Sequence, residues 1–396
     1  MIIDKIGYSY NDLTIIPNVL SEINSRSECK PTYEDDKLPI FASCMSTVVS
    51  SSNYDIWLKN GITPIIPRNI DFEVRSSIME LGLWVAMSMS EFKELFVNNY
   101  KERKHDITYN ICIDIANGHM KSLLSLCLMA KELARKYNLV IMTGNIANPE
   151  TYYKYATLTY YNEDRKKWLP SIDYVRVGIG TGLGCTTSSN TSIHYPQATL
   201  INECYKIKYE LENDYIEDRE TAYETKKIRH YNYDLPKIVA DGGIRNYSDI
   251  IKALALGADY VMIGGLFAAM YESAAPLMIK SAGDEWIGER FVEVDYKYEN
   301  EEKKRSDIKN RQLWKEFYGM STKKAQQLID GTKTTKTAEG RHTYERVKYT
   351  IKQWTENMMD YMKSAMSYCN CKTLDEFIGK VDLIVNSPGE IAAVNK

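Results

Sequence analysis

The amino-acid sequence predicts an α/β protein in which eight strand–helix units close into a (β/α)8 barrel. Two observations lead to that prediction: eight short apolar runs recur along the chain, and longer helical segments separate most of them. Repeated strand–helix units imply parallel pairing of the strands, and eight of them are enough to close a barrel. An open, doubly wound sheet is the alternative, and the count of eight favours the barrel.

The eight apolar runs are bounded by polar or glycine-containing segments, which is typical of short strands. The strands are predicted at Pro39–Ser43, Ile62–Ile66, Trp84–Ser88, Tyr109–Ile115, Leu139–Thr143, Asp173–Gly178, Pro236–Ala240 and Tyr260–Gly264. Helices are predicted between and after them at Gly118–Tyr137, Pro149–Leu158, Tyr247–Leu256 and Leu266–Ile279.

Length and composition limit the class of protein. The 396 residues carry a formal net charge of -3 and are 44% hydrophobic, which suffices for the core of one barrel-sized domain or two smaller ones. With eight strand–helix units, we expect one barrel domain spanning residues 1–396. The near-neutral charge argues against nucleic acid as a partner. No apolar run approaches the roughly 20 residues of a membrane span, and the first residues lack the apolar region of a signal peptide, so we expect neither feature. The eight scattered cysteines fit reduced thiols, so we expect a cytoplasmic protein.

Several segments extend beyond the eight units. The stretches 209–233 and 283–311 are densely charged, and we expect both to be insertions with solvated surfaces, the first prolonging the preceding helix. Residues 317–343 are predicted to form an active-site flap. Within it, Lys323–Gly340 shows little apolar periodicity and is interpreted as a mobile lid. The segment 344–384 is expected to be helical and to pack on the barrel.

The most informative loop is Val177-Gly-Ile-Gly-Thr-Gly-Leu-Gly-Cys-Thr-Thr187, which follows a predicted strand. Glycine has no side chain in the way, so such a loop brings backbone amides and carbonyls close to a ligand. The thiol of Cys185 and two hydroxyls stand at its end. Most cysteines are buried small hydrophobes. In this setting, however, Cys185 is predicted to be a nucleophile beside a backbone cradle for an anion or cation.

Other motifs follow the predicted strands at the same end of the barrel, where (β/α)8 enzymes place their chemistry. They are Ser43-Cys-Met-Ser46, Asp114-Ile-Ala-Asn-Gly118, Gly144-Asn145, Asp241-Gly-Gly243 and Gly264-Gly265. The last two come after strands seven and eight, where backbone amides often bind phosphate. We therefore expect these motifs to share one site with Cys185.

These residues resemble the inosine-monophosphate dehydrogenase / guanosine-monophosphate reductase family. The resemblance adds motifs in family order over nearly the whole chain: Ser25-Arg-Ser-Glu28, Tyr195-Pro-Gln197, Phe317-Tyr-Gly-Met-Ser321 and Ala338-Glu-Gly340. It favours the reductase branch. Only residues 67–83 lie between the second and third predicted strands, and this segment is too short for the regulatory insert that the dehydrogenases usually carry. No arginine lies between Tyr318 and Glu339 to supply their Arg-Tyr pair.

The resemblance implies NADPH-dependent reductive deamination of GMP to IMP by a homotetramer, with release of ammonia. It implies a catalytic set of Cys185, Thr187 and Glu339. The implied substrate contacts are Asp241 to the ribose, Gly243, Gly264, Gly265 and Tyr318 to the phosphate, Met45 to the base, and Gly319, Met320 and Ser321 to the base edge. Asp114, Gly144 and Asn145 would face the nicotinamide and its ribose. The backbone carbonyls of Gly180, Gly182 and Cys185 would bind K⁺.

Four positions depart from the family pattern. Leu183 replaces a hydroxyl that contacts phosphate, Ser46 replaces an aspartate, Ser188 replaces a basic residue, and Arg68 is the nearest cation to the position of a reductase lysine. One lost phosphate hydroxyl costs about 1 kcal/mol. Together these changes leave open a different nucleotide, such as a deoxynucleotide or another purine.

Two other functions remain as alternatives. An IMP dehydrogenase, which oxidises IMP to XMP with NAD⁺, would need Lys333 or Lys336 as the base that activates water. A barrel that binds purine nucleotides without catalysis, as a sensor or scaffold, is the other alternative. The presence of Cys185, Thr187 and Glu339 argues against it.

Overall fold

A computed structural model of the chain describes residues 4–134, 137–162, 166–221, 234–281, 290–293, 302, 306, 308–309, 313–330, 337 and 340–394. Its strands, in chain order, are β1 (Leu13–Ile15), β2 (Ile40–Ala42), β3 (Thr63–Ile66), β4 (Trp84–Met87), β5 (Thr108–Ile113), β6 (Asn138–Ile146), β7 (Thr159–Asn162), β8 (Lys167–Pro170), β9 (Tyr174–Val177), β10 (Lys237–Asp241), β11 (Tyr260–Ile263), β12 (Leu277–Ser281), β13 (Arg290–Glu293), β14 (Leu313–Tyr318), β15 (His342–Arg346) and β16 (Leu383–Val385).

The α-helices are α1 (Tyr54–Lys59), α2 (Phe72–Met79), α3 (Met89–Lys93), α4 (Lys121–Leu133), α5 (Pro149–Ala156), α6 (Thr187–Thr191), α7 (Gln197–Thr221), α8 (Tyr247–Ala255), α9 (Gly265–Ala268), α10 (Lys323–Asp330), α11 (Ile351–Tyr368), α12 (Leu374–Phe377) and α13 (Pro388–Val394). Short 3₁₀ turns occupy Tyr10–Asp12, Arg26–Glu28 and Tyr100–Glu102, and a π-helical turn follows α3 at Glu94–Asn98.

Eight parallel strands close into a barrel in the spatial order β10-β11-β2-β3-β4-β5-β6-β9. Each of them overlaps one predicted strand, so the predicted (β/α)8 barrel is confirmed and the open sheet is excluded. The pairing of β6 with β9 shifts register between Gly144 and Ile146. Such an irregularity redirects a side chain at the end of a strand, and here the redirected residue is Asn145.

Apolar side chains fill the barrel interior. Phe41, Ile65, Met142 and Met262 belong to one buried cluster inside it. At the amino-terminal ends of the strands, the rings of Phe41, Trp84, Tyr174 and Tyr260 pack against one another, with centroids between 5.0 and 5.9 Å apart. The interior is therefore a packed core rather than a channel, as in other barrels of this size.

The surrounding helices present one apolar face to the barrel. Helix α8 buries Ile250, Ile251 and Leu254, which lie on one face at helical spacing. It begins after Asn246, whose side chain accepts a hydrogen bond from the backbone N–H of Asp249 at 3.0 Å. The predicted helices at 118–137, 149–158 and 247–256 correspond to α4, α5 and α8.

The predicted helix Leu266–Ile279 is wrong. Helix α9 ends at Ala268, and after a turn the chain forms β12. Pro276 precedes β12 and cannot supply a helical N–H. Strand β12 joins an antiparallel sheet in the order β13-β12-β14-β15. The sequence did not predict this sheet, and part of the 283–311 stretch, interpreted as solvated surface, forms its β13.

The flap and the tail also differ in part from their predictions. Lys323–Gly340 was interpreted as lacking apolar periodicity, but its first eight residues form α10. Thr322 Oγ1 accepts from the backbone N–H of Ala325 at 3.2 Å, a helix-capping bond.

Segment 344–384 contains the helices α11 and α12, yet it begins in β15 and ends in β16. Helix α7 reaches Thr221, and 222–233 lies outside the described residues.

Within the described part of the chain, the helices are too short or too polar to span a membrane.

Candidate active site

Strand β9 delivers the glycine-rich loop to the carboxyl end of the barrel. The side-chain amide of Gln197 donates to the carbonyl of Val177 at 2.8 Å and fixes the end of the strand. Gly178 follows with φ of +130°, and a Cβ there would lie 2.4 Å from the carbonyl oxygen of Asp241. Only glycine fits between these two loops. The Cys185 loop and the Asp241 loop are therefore packed backbone against backbone.

Cys185 is the partly exposed thiol of the chain, whereas the other seven cysteines are buried. Its Sγ lies 3.2 Å from Oγ1 of Thr187, at the start of α6. By contrast, burial raises the pKa of the Cys127 thiol to about 12, with smaller opposing effects of Lys131 and Asp173. Because the thiolate is the nucleophile, accessibility and a hydrogen-bonding hydroxyl distinguish Cys185 chemically from the other thiols.

Both ends of the flap contact the Cys185 loop. Gly340 forms a β-bridge with Cys185 itself, and the N–H of Arg341 donates to the carbonyl of Gly184 at 2.9 Å. At the other end, a Cβ on Gly319 would lie 2.4 Å from the carbonyl oxygen of Gly184, and the N–H of Gly319 donates to the carbonyl of Arg341 at 3.1 Å. Glu339 lies outside the described residues; its chain neighbour Gly340 is the residue paired with Cys185.

Asp241 sits at the end of β10 in a fixed hydrogen-bond arrangement. Its Oδ2 accepts from Nδ2 of Asn145 at 2.7 Å, and it also lies 2.9 and 2.8 Å from Nε and Nη2 of Arg176. Nδ2 of Asn145 donates as well to the carbonyl of Gly178 at 2.9 Å. The predicted residues Asn145 and Asp241 are thus brought together at the start of the Cys185 loop.

Arg176 is the site residue that the sequence analysis missed. Its guanidinium is buried, and Nη1 lies 3.0 Å from Oδ1 of Asp114 while Nε and Nη2 face Asp241. Burial lowers the pKa of Arg176, but Asp241 and then the nearby thiols and Asp114 raise it, and the net direction is upward. The signal was present, because a charged residue inside an apolar strand must find partners when it is buried.

Arg68 adds a second cation beside Asp114. Its Nη1 donates to the backbone carbonyl of Asp114 at 3.3 Å, and its Nε lies 3.8 Å from Oδ2. The latter distance is too long for a hydrogen bond. Asp114 therefore has one carboxylate oxygen held by Arg176 and a second that can still accept from a ligand.

The remaining predicted residues line the same end of the barrel. A Cβ on Gly264 would lie 2.5 Å from Sδ of Met45, and a Cβ on Gly265 would lie 3.2 Å from Leu183. Ser46 Oγ lies 3.2 Å from the hydroxyl of Tyr318 and 3.9 Å from Sδ of Met320. The structure thus brings the Gly264-Gly265 turn against both Met45 and the Cys185 loop.

Three predicted residues have different neighbours. A Cβ on Gly243 would lie 3.3 Å from the ring of Tyr10 and 3.7 Å from Thr181. The carbonyl of Ser321 accepts from Nε2 of Gln326 in α10 at 3.2 Å. A Cβ on Gly144 would lie 2.4 Å from the carbonyl oxygen of Arg176, so β6 approaches β9 closely there.

The predicted cation-binding carbonyls lie on one short loop. The carbonyl of Gly180 accepts from Oγ of Ser188 at 3.0 Å, and that of Gly182 accepts from the N–H of Cys185 at 3.0 Å. A carbonyl oxygen has two lone pairs, so each can accept a further partner. The described residues contain no cluster of three or more His, Cys, Asp or Glu arranged to hold a metal.

The family model for the IMP dehydrogenase / GMP reductase domain matches residues 85–290, slightly more than half of the chain. The chain belongs to the IMP dehydrogenase / GMP reductase family. The matched region runs from β4 to the start of β13, so it contains the Cys185 loop, Asp114, Asn145 and Asp241.

Curated relatives extend the match. The chain is 26% identical over 389 residues to the GMP reductase of Helicobacter pylori strain J99, covering 96% of each protein. It is 27% identical over 390 residues to the GMP reductase of Staphylococcus carnosus, again covering 96% of each. With the GMP reductase of Streptococcus suis it shares 28% identity over 298 residues, 72% of this chain and 76% of the relative. These similarities support an oxidoreductase.

Proposed function

We propose that the protein is a GMP reductase that converts GMP to IMP and ammonia with NADPH. One observation carries the proposal: the partly exposed Cys185 lies 3.2 Å from the Thr187 hydroxyl, on a loop paired with Gly340 of the flap. A nucleophile with a hydrogen-bonding partner, covered by a segment that can close, is what covalent catalysis on a purine ring requires. The names of the curated relatives point to the same reaction.

In this mechanism the Cys185 thiolate attacks C2 of the purine. The bond between C2 and the exocyclic amine breaks, and ammonia leaves with one added proton to give a covalent thioimidate. Thr187 orients the hydrogen bonds around the sulfur, and Glu339 supplies the proton for the departing amine. When NADPH is bound in the site, it supplies the hydride that C2 accepts. The C2–S bond then breaks, and Cys185 is released as the thiolate.

Asp241 and the glycine turns would hold the nucleotide. Among the described residues, the donors to the Asp241 carboxylate all reach Oδ2, so Oδ1 can accept a hydrogen bond from a ribose hydroxyl. Gly243, Gly264, Gly265 and Tyr318 would contact the phosphate. Met45 would pack on the base, and Gly319, Met320 and Ser321 would contact its edge.

Asp114, Gly144 and Asn145 would hold the nicotinamide half of NADPH. The fit rests on Asp114, whose Oδ2 has no hydrogen bond within the described residues although Oδ1 is held by Arg176. The carbonyls of Gly180, Gly182 and Cys185 would bind K⁺ and so stiffen the loop that carries the nucleophile. We further propose one barrel domain with insertions at 209–233 and 283–311, a homotetrameric assembly and a cytoplasmic location.

The test is loss of NADPH absorbance with purified protein and GMP, run beside dGMP and beside IMP with NAD⁺. The proposal predicts NADPH oxidation with GMP, one ammonia released per NADPH consumed, and no NADH from IMP. Cys185→Ser should abolish turnover and keep GMP binding, while Cys204→Ser is the matched buried-thiol control. NADH formed from IMP would instead identify a dehydrogenase. Nucleotide binding without any turnover would identify a sensor.

A further inference from the structure

A cavity of about 500 Å³ lies at the end of the barrel opposite to Cys185. Its lining includes the amino-terminal ends of three parallel strands, at Asn138 of β6, Tyr174 of β9 and Lys237 of β10. Cys185 follows the carboxyl end of β9, so the length of that strand and the packed barrel interior separate the two places. The volume falls within the range of small-molecule sites. This cavity is no part of the site described above.

An added hairpin builds one wall of the cavity. Strands β7 and β8 lie between α5 and β9, where helix-to-strand connections are usually two to six residues long. They pair antiparallel, with Tyr160 opposite Leu169 and Asn162 opposite Lys167. Residues directly opposite each other share a face of the pair, and these four all line the cavity. The hairpin thus presents one complete face to the cavity.

The other face of the hairpin is exposed to solvent. It carries Tyr161 and Trp168, whose rings contact each other with centroids 5.6 Å apart. The division between a cavity face and a solvent face follows from the two-residue period of a strand. Lys167 therefore points into the cavity because of its register, opposite Asn162.

The positive charges in the lining are only partly neutralised. Lys131 lies 2.7 Å from Asp173, whose Oδ2 also accepts from the backbone N–H of Ile141, so this pair is satisfied. Lys237 is 3.6 Å from Asp259, but that carboxylate already binds Lys208 at 2.8 Å.

Lys167 has no acidic group within ion-pair distance among the residues that the structure describes. His105 and Asp234 complete the charged lining. Lysines outnumber aspartates three to two in the lining, and Lys237 shares the Asp259 carboxylate with Lys208. The cavity therefore favours an anionic ligand.

We propose that this cavity is a second ligand site, which binds the phosphate group of a small phosphorylated molecule through Lys167 and Lys237. A phosphate monoester carries close to two negative charges at neutral pH, which matches two lysine charges. Asn138 and Asn162 supply additional hydrogen bonds, and the tyrosine side chains of the lining contact the organic part. The site requires no chemistry at Cys185, so it stands independently of the proposed reaction.

Isothermal titration calorimetry of the full-length protein with inorganic pyrophosphate and with ATP tests the proposal. The titrations use constant ionic strength, with sodium chloride as the background salt. We expect saturable binding of at least one probe to the unmodified protein. Lys167→Glu and Lys237→Glu should each weaken it at least about tenfold, since each removes a charge-assisted contact and adds a repulsive charge. Lys352→Glu, an exposed charge reversal on α11, is the matched control and should leave binding unchanged.

Circular dichroism and the melting temperature show whether each variant is folded. Lys167→Gln, which removes the charge without reversing it, provides a milder variant that should weaken binding less than Lys167→Glu. The proposal is overturned if neither probe binds, or if folded Lys167 variants bind as tightly as the unmodified protein. It is equally overturned if Lys352→Glu weakens binding as much as the cavity variants, because binding would then follow only the net charge.

Discussion

Replacing Arg176 by methionine removes the cation that joins the two carboxylates of the candidate active site. The guanidinium lies 2.8 to 3.0 Å from Asp114 on one side and Asp241 on the other. Methionine keeps an unbranched apolar stem but carries no charge and no hydrogen-bond donor, so the change removes the guanidinium and its bonds. We assign Asp114 to the cofactor side and Asp241 to the substrate side, and Arg176 sets the orientation of both.

The cost can be worked from the burial of the three groups. Removing one partner of a buried ion pair costs about 3 to 5 kcal/mol, because the remaining charge is left without compensation. The two carboxylates keep 18% and 15% of their side-chain surface exposed, so water offsets part of the loss. Asp241 also keeps the hydrogen bond from Asn145. We therefore expect Arg176→Met to lower the free energy of unfolding by about 3 kcal/mol.

The same change should lower kcat/KM for GMP reduction about 100-fold, which corresponds to about 2.7 kcal/mol of transition-state stabilisation. Because Arg176 contacts both carboxylates, the KM values for GMP and NADPH should rise together. Lysine keeps the charge but lacks the planar fork, so Arg176→Lys should recover only part of the activity. Chemical unfolding and steady-state kinetics of both variants measure these effects.

Arg26→Met provides the contrast for Arg176. Arg26 lies 3.7 Å from Asp360, and both side chains are more than half exposed. Surface pairs of this kind contribute little, so stability and both KM values should stay unchanged. An Arg176→Met protein as stable as the unmodified chain, or one in which only one of the two KM values changed, would contradict the role assigned to Arg176.

Three further changes test separate features. Leu183→Ser restores the hydroxyl that the family usually has there and should lower the KM for GMP up to about tenfold with kcat unchanged; an unchanged KM argues against phosphate at this position. Gly319→Ala places a Cβ 2.4 Å from the carbonyl oxygen of Gly184 and should lower kcat strongly. Gly389→Ala places a Cβ no closer than 3.9 Å to its nearest neighbour and should leave kcat unchanged. Burial raises the pKa of Glu91, but the hydrogen bonds from Arg75 and from the Ser88 backbone lower it by more than burial raises it. The pKa of Glu91 therefore lies below its ordinary value of 4.5. The ionised Glu91 therefore stabilises the fold above pH 4.5, and this stabilisation is lost as the pH falls through its lowered pKa. Glu91→Gln should make the free energy of unfolding less dependent on pH in this acidic range.

The eight barrel strands could be predicted from the sequence because a parallel sheet is covered on both faces. Such strands are continuous apolar runs, as in Trp84–Met87 and Tyr260–Ile263. The loops that follow them then fall at one end of the barrel without further information. That reasoning placed Met45, Asp114, Asn145, Cys185 and Asp241 at the same end, and the structure has them there.

The strands outside the barrel could not be found by the same criterion. Strand β8 reads Lys-Trp-Leu-Pro and β13 reads Arg-Phe-Val-Glu, so each mixes charged and apolar residues within four positions. Such strands are half exposed, and short polar segments of this kind are typical of loops as well. In the four-stranded sheet, the pairing also depends on partners distant in the chain, such as Met278 with Glu293 and Trp314 with Arg346. Local sequence does not contain that information.

Once a hairpin is recognised between α5 and β9, however, chain direction alone decides where it lies. Every strand of the barrel runs the same way, so segments that lead from a helix into a strand gather at the amino-terminal end. Segments that lead from a strand into a helix, such as the one that carries Cys185, gather at the other. A change confined to the hairpin at Lys167 can therefore alter ligand binding at one end without touching the residues that would hold a nucleotide at the other. This separation makes the charge-reversal variants of the cavity a test of a second site rather than a second test of the first.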